Sequence, residues 1–180
     1  ILSRYSGAQD IVFGVTGAGR PPELAGVEAM IGLFINTLPV RVKVNPEQAV
    51  VQWLKQLQDQ QSELRQYEYS PLVQVQAWSE VPRGLSLFDS LLVFENYPID
   101  ASFRQQLERL SISDLQKVER TNYSLNLLAV PGAELLLRIS YDSRRFDDAS
   151  IKRMLGHLQT VLEGIAANPS QHLADLPFLT

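Results

Sequence analysis

Two neighbouring polar residues, Asn36 and Thr37, interrupt the apolar run IGLFINTLPVR at residues 31–41. A buried polar group without a hydrogen-bond partner costs about 1–3 kcal/mol, so the pair must face a cleft or bond to the protein itself. Successive side chains of a strand point to opposite faces, so one residue can face the core and the other a cleft. Two interpretations of Asn36 stay open: an amide that faces a cleft, and a side chain that caps a neighbouring element or bonds to backbone.

Histidine is the usual acid–base residue, and the chain has only two. His157 lies off the apolar stripe of a predicted helix, which indicates an exposed surface position, and His172 lies near the C-terminus. Neither is spaced with a nucleophile or a second metal ligand. The absence of cysteine excludes thiolate catalysis and cysteine-bound metals, and it fits the reducing cytoplasm. We therefore expect neither histidine-dependent nor thiolate catalysis in this chain, and no metal site.

A glycine-containing stretch, GVTGAGRPPE, follows a predicted strand and invites comparison with phosphate-binding loops. Its glycine spacing does not match the dinucleotide fingerprint, and the lysine of a P-loop is missing. Arg20-Pro21-Pro22 keeps the chain extended where a phosphate site needs a helix to begin. The sequence predicts an ordered loop from Thr16 to Arg20 and no nucleotide site.

Length and charge narrow the class of protein further. The 180 residues suffice for one compact domain, and a net charge of -4 without a basic cluster argues against nucleic-acid binding. No apolar run is long enough to span a membrane. The chain begins at Ile1 without methionine, in a stretch that resembles a helix end closed by Gly7, so we expect an excised piece of a longer protein.

Residue patterns predict five strands. The first covers residues 10–15, and the second follows a turn at Gly32 and runs through Val44. The third covers residues 87–98. The last two, 123–130 and 134–142, form a hairpin around Pro131-Gly132. Pro39 places its strand at a sheet edge or a bulge.

Three main helices are also predicted. The first helix begins with Asn45 as N-cap and Pro46 as its first residue, and it carries a buried stripe. The second is shorter and runs from Ser70-Pro71 to about Trp78. The last is capped by Asp147 or Asp148. Trp53 and Trp78 are expected to pack, and Asn168-Pro169 ends the last helix. The result is an α+β fold with a mixed, largely antiparallel sheet covered by helices on one face. The predicted stripes are Val50, Trp53, Leu54, Leu57 and Leu64 in the first helix, and Ile151, Met154, Leu155, Leu158, Val161, Leu162 and Ile165 in the last.

A series of segments, in order, resembles the C-terminal half of the condensation domains of nonribosomal peptide synthetases. The segments are DIVFGVTGAGR, ELAGVEAMIGLFINTLPVRV, YEYSPLVQVQAW, LFDSLLVFENYP, TNYSLNLLAV and ELLLRISYDSRRFD. IGLFINTLPVR is similar to that family's I/V-G-x-F-V-N-T motif. The resemblance covers essentially the whole chain.

This resemblance implies one lobe of a two-lobed, chloramphenicol acetyltransferase-like fold with a tunnel between the lobes. Residues 1–167 would form the C-terminal lobe and 168–180 a linker to the next domain. In such domains an amine on one carrier attacks the thioester of a donor acyl group on another carrier, and an amide forms. The family's H-H-x-x-x-D-G base lies in the N-terminal lobe and is missing here, so the fragment alone is expected to be inactive.

The resemblance also assigns roles to individual residues. Asn36 would hold the acceptor amine or steady the tetrahedral intermediate, while Thr37 orients the strand from its other face. Ser90 and Asn96 would contact substrate on the acceptor side. Thr16, Gly17, Gly19 and Arg20 would form a loop beneath the tunnel, while Gly32 allows a sharp turn and Arg41 pairs with a carboxylate across the lobe.

Partners and alternatives follow from the same resemblance. The partners are the N-terminal lobe, upstream and downstream peptidyl carrier domains and a downstream adenylation domain; phosphopantetheine arms carry the substrates, and no cofactor binds the lobe directly. The setting is cytoplasmic biosynthesis of secondary metabolites such as antibiotics. Two alternatives stay open: an epimerization-type or other acyltransferase relative, which the Asn36-Thr37 pair disfavours, and a non-catalytic lobe that docks carrier proteins.

Overall fold

The computed structural model describes residues 1–17, 20, 24–95 and 121–179. Within these ranges the chain forms four helices, five strands and three short 3-10 turns, the turns at Val27–Ala29, Arg65–Tyr67 and Leu173–Asp175. The helices are α1 (Leu2–Ser6), α2 (Val50–Leu64), α3 (Leu72–Trp78) and α4 (Asp148–Ala167). The strands are β1 (Asp10–Gly17), β2 (Asn36–Lys43), β3 (Ser90–Phe94), β4 (Leu125–Val130) and β5 (Leu136–Tyr141).

The strands form one mixed sheet in the order β2-β1-β3-β4-β5. The two outer pairs, β1 with β2 and β4 with β5, are antiparallel, while β3 runs parallel to both β1 and β4. The predicted mixed sheet is confirmed, and its antiparallel pairs are confined to the edges. Pro39 lies in β2, an edge strand among those described, as its missing N–H predicts.

Helices α1, α2 and α4 cover one face of the sheet. Leu125 of β4 packs with Ile151 and Met154 of α4 in a buried cluster, which Leu2 of α1 and Ile139 of β5 extend. Val50, at the start of α2, is fully buried. The predicted layer of helices over a sheet is confirmed, and the main core lies between them.

Elements with strong local signals lie where the sequence places them. Gly7 ends α1 in the left-handed conformation at φ 73°, as the predicted helix end requires. The Asp147 side chain caps α4 by accepting a hydrogen bond from the N–H of Ser150 at 2.8 Å. The hairpin around Pro131-Gly132 is formed by β4 and β5.

The predicted start of α2 is wrong. The Asn45 side chain accepts from the N–H of Glu47 at 3.2 Å and forms a turn, and the helix begins only at Val50. The N–H groups of Val50 and Val51 donate to carbonyls of residues 171 and 169, at 2.9 and 3.1 Å. Because a helix begins where its first N–H groups find acceptors, a distant part of the chain fixes this start.

Other boundaries differ more modestly. β1 continues through Gly17, so Thr16 and Gly17 belong to a strand and not to the predicted loop. β3 covers only the middle of the predicted strand at 87–98, whose last three residues lie outside the described part of the chain. Trp78, expected to pack, is 72% exposed.

The C-terminal tail, residues 168–179, lies across α1 and the start of α2. Leu173 is buried, and its N–H donates to the carbonyl of Gln48 at 2.9 Å. His172 forms an isolated antiparallel β-bridge with Ala49. The Arg4 guanidinium donates to the carbonyls of residues 173 and 174 at 3.0 and 3.2 Å. The assignment of residues 168–180 as a linker to a following domain stays a prediction.

Candidate functional site

The Asn36 side chain ties the start of β2 to the turn that precedes α3. Its Nδ2 donates to the carbonyl oxygens of Glu68 at 2.8 Å and Ser70 at 2.7 Å. Its Oδ1 accepts a hydrogen bond from the N–H of Thr37 at 2.9 Å. The side chain is half-buried, and both of its amide hydrogens are used within the protein.

These bonds limit what the Asn36 amide offers a ligand. Only one lone pair of Oδ1 remains, so the group can accept a hydrogen bond from an amine. Donation to an oxyanion would require Nδ2 to release a backbone carbonyl. The contacts fit the interpretation of Asn36 as a side chain bonded to backbone, and its role in positioning a substrate stays a prediction.

Thr37 stands beside Asn36 on the opposite face of the sheet, as the alternation of a strand predicts. The register places Thr37 opposite Thr16 and Asn36 opposite Gly17. A Cβ on Gly17 would lie 3.4 Å from the carboxyl group of Glu68. The absence of a side chain on Gly17 therefore leaves room for Glu68 on the face that carries Asn36.

The stretch before Asn36, which we call the apolar segment 30–35, is exposed. The side chains of Ile31 and Leu33 are essentially free of contacts, at 104% and 88% exposure, and Ile35 is 53% exposed. The residue patterns did not predict this exposed surface. The available signal was a nearly continuous apolar run that matches neither the strand nor the helix period.

Arg20 and Gly32 shape the apolar segment. The Arg20 guanidinium donates to the carbonyls of Val27 and Met30, the latter at 3.1 Å, and lies 4.1 Å from the centroid of the Phe34 ring. A Cβ on Gly32 would lie 3.2 Å from that ring, so glycine permits the close approach. Arg20 thus supports the surface next to Asn36. Gly19 and Asn96, also predicted to contribute, lie outside the described residues.

Arg41 forms a bidentate ion pair with Asp10. Its Nε and Nη2 donate to the two carboxylate oxygens at 2.8 and 2.7 Å. The partner lies on the adjacent strand β1, so the pair joins neighbours and does not cross the lobe as predicted. The hydrogen bond from Arg41 lowers the pKa of the Asp10 carboxyl. Both side chains are largely exposed, so the pair contributes little to stability.

Ser90 lies apart from Asn36. It lines a cavity of about 250 Å³ between the sheet and helices α1, α2 and α4, whose other walls are almost entirely apolar. Leu91 stands opposite Gly14 of β1, whereas Asn36 stands opposite Gly17. Ser90 precedes Leu91 and is therefore level with Phe13 in this parallel pair, four residues or about 13 Å along β1 from Gly17. The structure shows no contact between the two side chains, and the predicted substrate contact of Ser90 stays a prediction.

Both histidines lie with the C-terminal tail. His157 is half-buried, its Nδ1 is 2.9 Å from the Tyr5 hydroxyl, and its ring packs 4.7 Å from the Phe178 ring. The expected exposed position is wrong because α1 and the tail cover this side of α4. His172 lies 3.4 Å from the carboxylate of Asp175. Among the residues that the structure describes, neither histidine contacts a candidate nucleophile.

The described ranges contain neither a metal-ligand cluster nor a membrane-spanning helix. No three His, Cys, Asp or Glu side chains there come together in a way that would hold a metal ion. No helix in the same ranges has both the length and the apolar content needed to cross a membrane.

Comparison with known proteins identifies the family. A family model described as "Condensation domain" matches residues 1–180. Linear gramicidin synthase subunits C and D of Brevibacillus parabrevis are 47% and 51% identical to the chain over 180 residues, which is 100% of the chain but 2% and 4% of those proteins. The first condensation domain of the CDA synthetase has a similar fold, with a TM-score of 0.73, 17% identity, and coverage of 99% of this chain and 40% of that one.

The chain belongs to the condensation-domain family, since the family model covers all of it. It is a C-terminal portion of such a domain and has the chloramphenicol acetyltransferase-like fold. The chain spans a small fraction of the curated relatives it matches.

Proposed function

We propose that this chain is the C-terminal lobe of a condensation domain that forms peptide bonds between a carrier-bound donor acyl group and a carrier-bound acceptor amine. The lobe supplies one wall of the tunnel and positions substrate, and the N-terminal lobe supplies the base. The observation that carries the proposal is the exposed apolar segment 30–35, which leads directly into Asn36 at the start of β2.

The apolar segment is the surface that needs a partner. Contiguous exposed apolar side chains on a soluble protein mark interaction sites, and Ile31 and Leu33 have almost no contacts within the described chain. A second lobe seated on this segment would enclose Asn36 and Thr37 at the margin of the contact. A cleft bounded by both lobes would result, with the polar pair on one of its walls.

The acid–base chemistry is proposed to come from outside this chain. Amide formation requires that a proton leave the attacking amine, usually to a positioned base. His157 is bonded to Tyr5, and His172 lies beside Asp175 on the tail. We therefore expect the chain alone to be inactive.

Within this proposal Asn36 accepts a hydrogen bond from the acceptor amine through its free Oδ1 lone pair. The amine is thereby oriented with its nitrogen lone pair directed away from Oδ1, where it can attack the donor thioester. Thr37, Ser90 and Asn96 are proposed as weaker contributors to substrate positioning. Arg20 and Gly32 act indirectly, because they shape the segment on which the other lobe rests.

Carrier domains are proposed to deliver both substrates to the lobe. Two phosphopantetheine arms deliver the substrates from upstream and downstream carrier domains, and a downstream adenylation domain loads the acceptor. The similarity to two gramicidin synthase subunits supports a place in peptide assembly, in the cytoplasm.

The proposal is tested in the complete domain, with donor and acceptor loaded on their carrier domains and the amide product measured by mass spectrometry. Asn36→Ala should slow product formation about tenfold, the value of one hydrogen bond of roughly 1.4 kcal/mol. Asn45→Ala is the matched control, because Asn45 forms a turn beyond the other end of β2. Unchanged turnover in Asn36→Ala would confine Asn36 to a structural role.

Two further measurements separate the alternatives. Hydrogen exchange at the α-carbon of a single carrier-bound residue, without amide product, would indicate epimerization. Carrier binding without either reaction would indicate a docking lobe. Product formation by the isolated 180-residue chain would contradict the expected need for a second lobe.

A further inference from the structure

A groove beside α3 has no role in the proposed reaction. It has a volume of about 650 Å³ and lies between α3, the 83–89 loop and residues 122–123. Volumes of this size are typical of small-molecule sites. The groove is therefore large enough for a ligand and not only for a few waters.

The floor of the groove is an aromatic pair held in a fixed position. The rings of Phe88 and Tyr123 are stacked, with centroids 5.1 Å apart and planes inclined by 23°. Phe88 is buried and lies so close to Gly14 of β1 that a Cβ there would be 2.3 Å from the ring. The Gln76 side chain donates to the carbonyl of Leu85 at 2.6 Å and thereby links α3 to the loop. Such a preformed site loses little freedom on binding.

Two oppositely charged side chains line the groove. The Asp89 carboxylate faces the Arg145 guanidinium at 3.5 Å. Arg83 has no acidic partner within the described part of the chain. Arg83 is therefore the lining cation that remains available to pair with an anion.

Two neutral donors line the same groove as Arg83. Asn122 and Tyr123 both line the groove, and in the described ranges neither side chain has a hydrogen-bond partner. Burial raises the pKa of the Tyr123 hydroxyl, so this group keeps its proton and can donate. Part of the rim is apolar, since Val73 and Leu85 are 78% and 58% exposed.

We propose that this groove binds a small amphipathic anion, whose carboxylate or phosphate group pairs with Arg83, Asn122 and Tyr123 and whose apolar chain lies on Phe88 and Leu85. A guanidinium and two neutral donors match an anionic head group. The exposed side chains of Val73 and Leu85 and the aromatic floor match a hydrocarbon tail. The site is independent of amide formation and of the apolar segment 30–35.

The test is a titration of the 180-residue chain with sodium octanoate and octyl phosphate below their micelle concentrations, followed by amide chemical shifts in NMR. Shifts should concentrate at residues 83–89 and 122–123. The tighter of the two ligands identifies the preferred head group. 1-Octanol lacks the charge and inorganic phosphate lacks the tail, so each should bind at least about tenfold more weakly.

Variants make the test specific. Arg83→Ala should weaken octanoate binding about tenfold, because it removes a charged group with several donors, and Tyr123→Phe about threefold, because it removes one neutral donor. Arg138→Ala, an exposed arginine on β5 outside the groove, is the matched control and should change affinity less than twofold. Equal binding of octanol and octanoate, equal effects of the two arginine variants, or shifts centred on residues 30–35 would each overturn the proposal.

Discussion

The C-terminal tail and the apolar segment 30–35 differ in how the rest of the chain holds them. The tail is rich in polar and small residues, yet Leu173 is buried and backbone groups of residues 169–174 bond to the start of α2 and to Arg4. The segment 30–35 is apolar, yet Ile31 and Leu33 stand free. Apolar content alone therefore does not decide what is buried, because burial also requires a partner in the same chain.

This difference assigns the two regions to different tasks. The tail completes the helical layer of the lobe and stabilises it from within. The segment 30–35 contributes little to the isolated chain and, in our proposal, is reserved for a second lobe. Substitutions in the two regions should therefore separate stability from function.

The largest expected effect is a contrast between two leucines. Leu173→Ala should lower the free energy of unfolding by about 2–5 kcal/mol, since it leaves a cavity in packed structure. Leu33→Ala removes an exposed side chain and should change the free energy by less than about 0.5 kcal/mol. Urea denaturation followed by circular dichroism compares the two. Similar losses would mean that the two regions do not differ as described.

Asn36→Ala should lower the free energy of unfolding by about 1–3 kcal/mol, because the half-buried carbonyls of Glu68 and Ser70 lose their donor. Hydrogen exchange at the N–H groups of α3 should accelerate, since the turn before this helix loses its link to β2. Asn45→Ala, measured in parallel, should leave α3 unaffected. A variant with wild-type exchange in α3 would show that Asn36 does not anchor this turn.

Arg4→Ala should lower the free energy of unfolding by about 1 kcal/mol, as two carbonyls of the tail lose a charged but partly exposed donor. Limited proteolysis within residues 168–179 should also become faster. Arg138→Ala serves as a control for the loss of one positive charge. If the tail is cut equally fast in both variants, Arg4 does not hold it.

The smallest effect is expected for Arg41→Ala. Arg41 lowers the pKa of the Asp10 carboxyl, so the folded chain binds that proton less tightly than the unfolded chain does. The stabilisation is present at neutral pH and is lost as the pH falls below about 4, the ordinary aspartate value, through the pKa of the folded state. Wild type and variant should therefore differ slightly at pH 7 and not at pH 2, and added salt should reduce the difference. A difference that grows on acidification would contradict this sign.

Local signals made part of the fold predictable. The Pro131-Gly132 turn fixes a hairpin between its two neighbouring strands, and the cap at Asp147 lies three residues from the N–H it accepts. In both cases the interacting groups are close in the sequence. The family motif around Asn36 likewise lies at the start of β2.

Long-range contacts explain what the sequence did not reveal. The start of α2 depends on carbonyls about 120 residues further along the chain, and His157 is covered by Tyr5 and Phe178 from both ends of the sequence. The partners of Asn36 are backbone carbonyls, which carry no residue-type signal. The groove at Arg83 was missed because its walls come from three separate segments.

The edge position of Pro39 has a consequence for the chain in solution. The pairing of β1 with β2 runs unbroken through Pro39, so the missing N–H falls on the side of β2 that has no neighbour among the described strands. An incoming strand from another molecule would find a gap in the row of donors there, with Arg41 and Lys43 close by. This edge is thereby protected against the strand-by-strand growth that leads to fibrils.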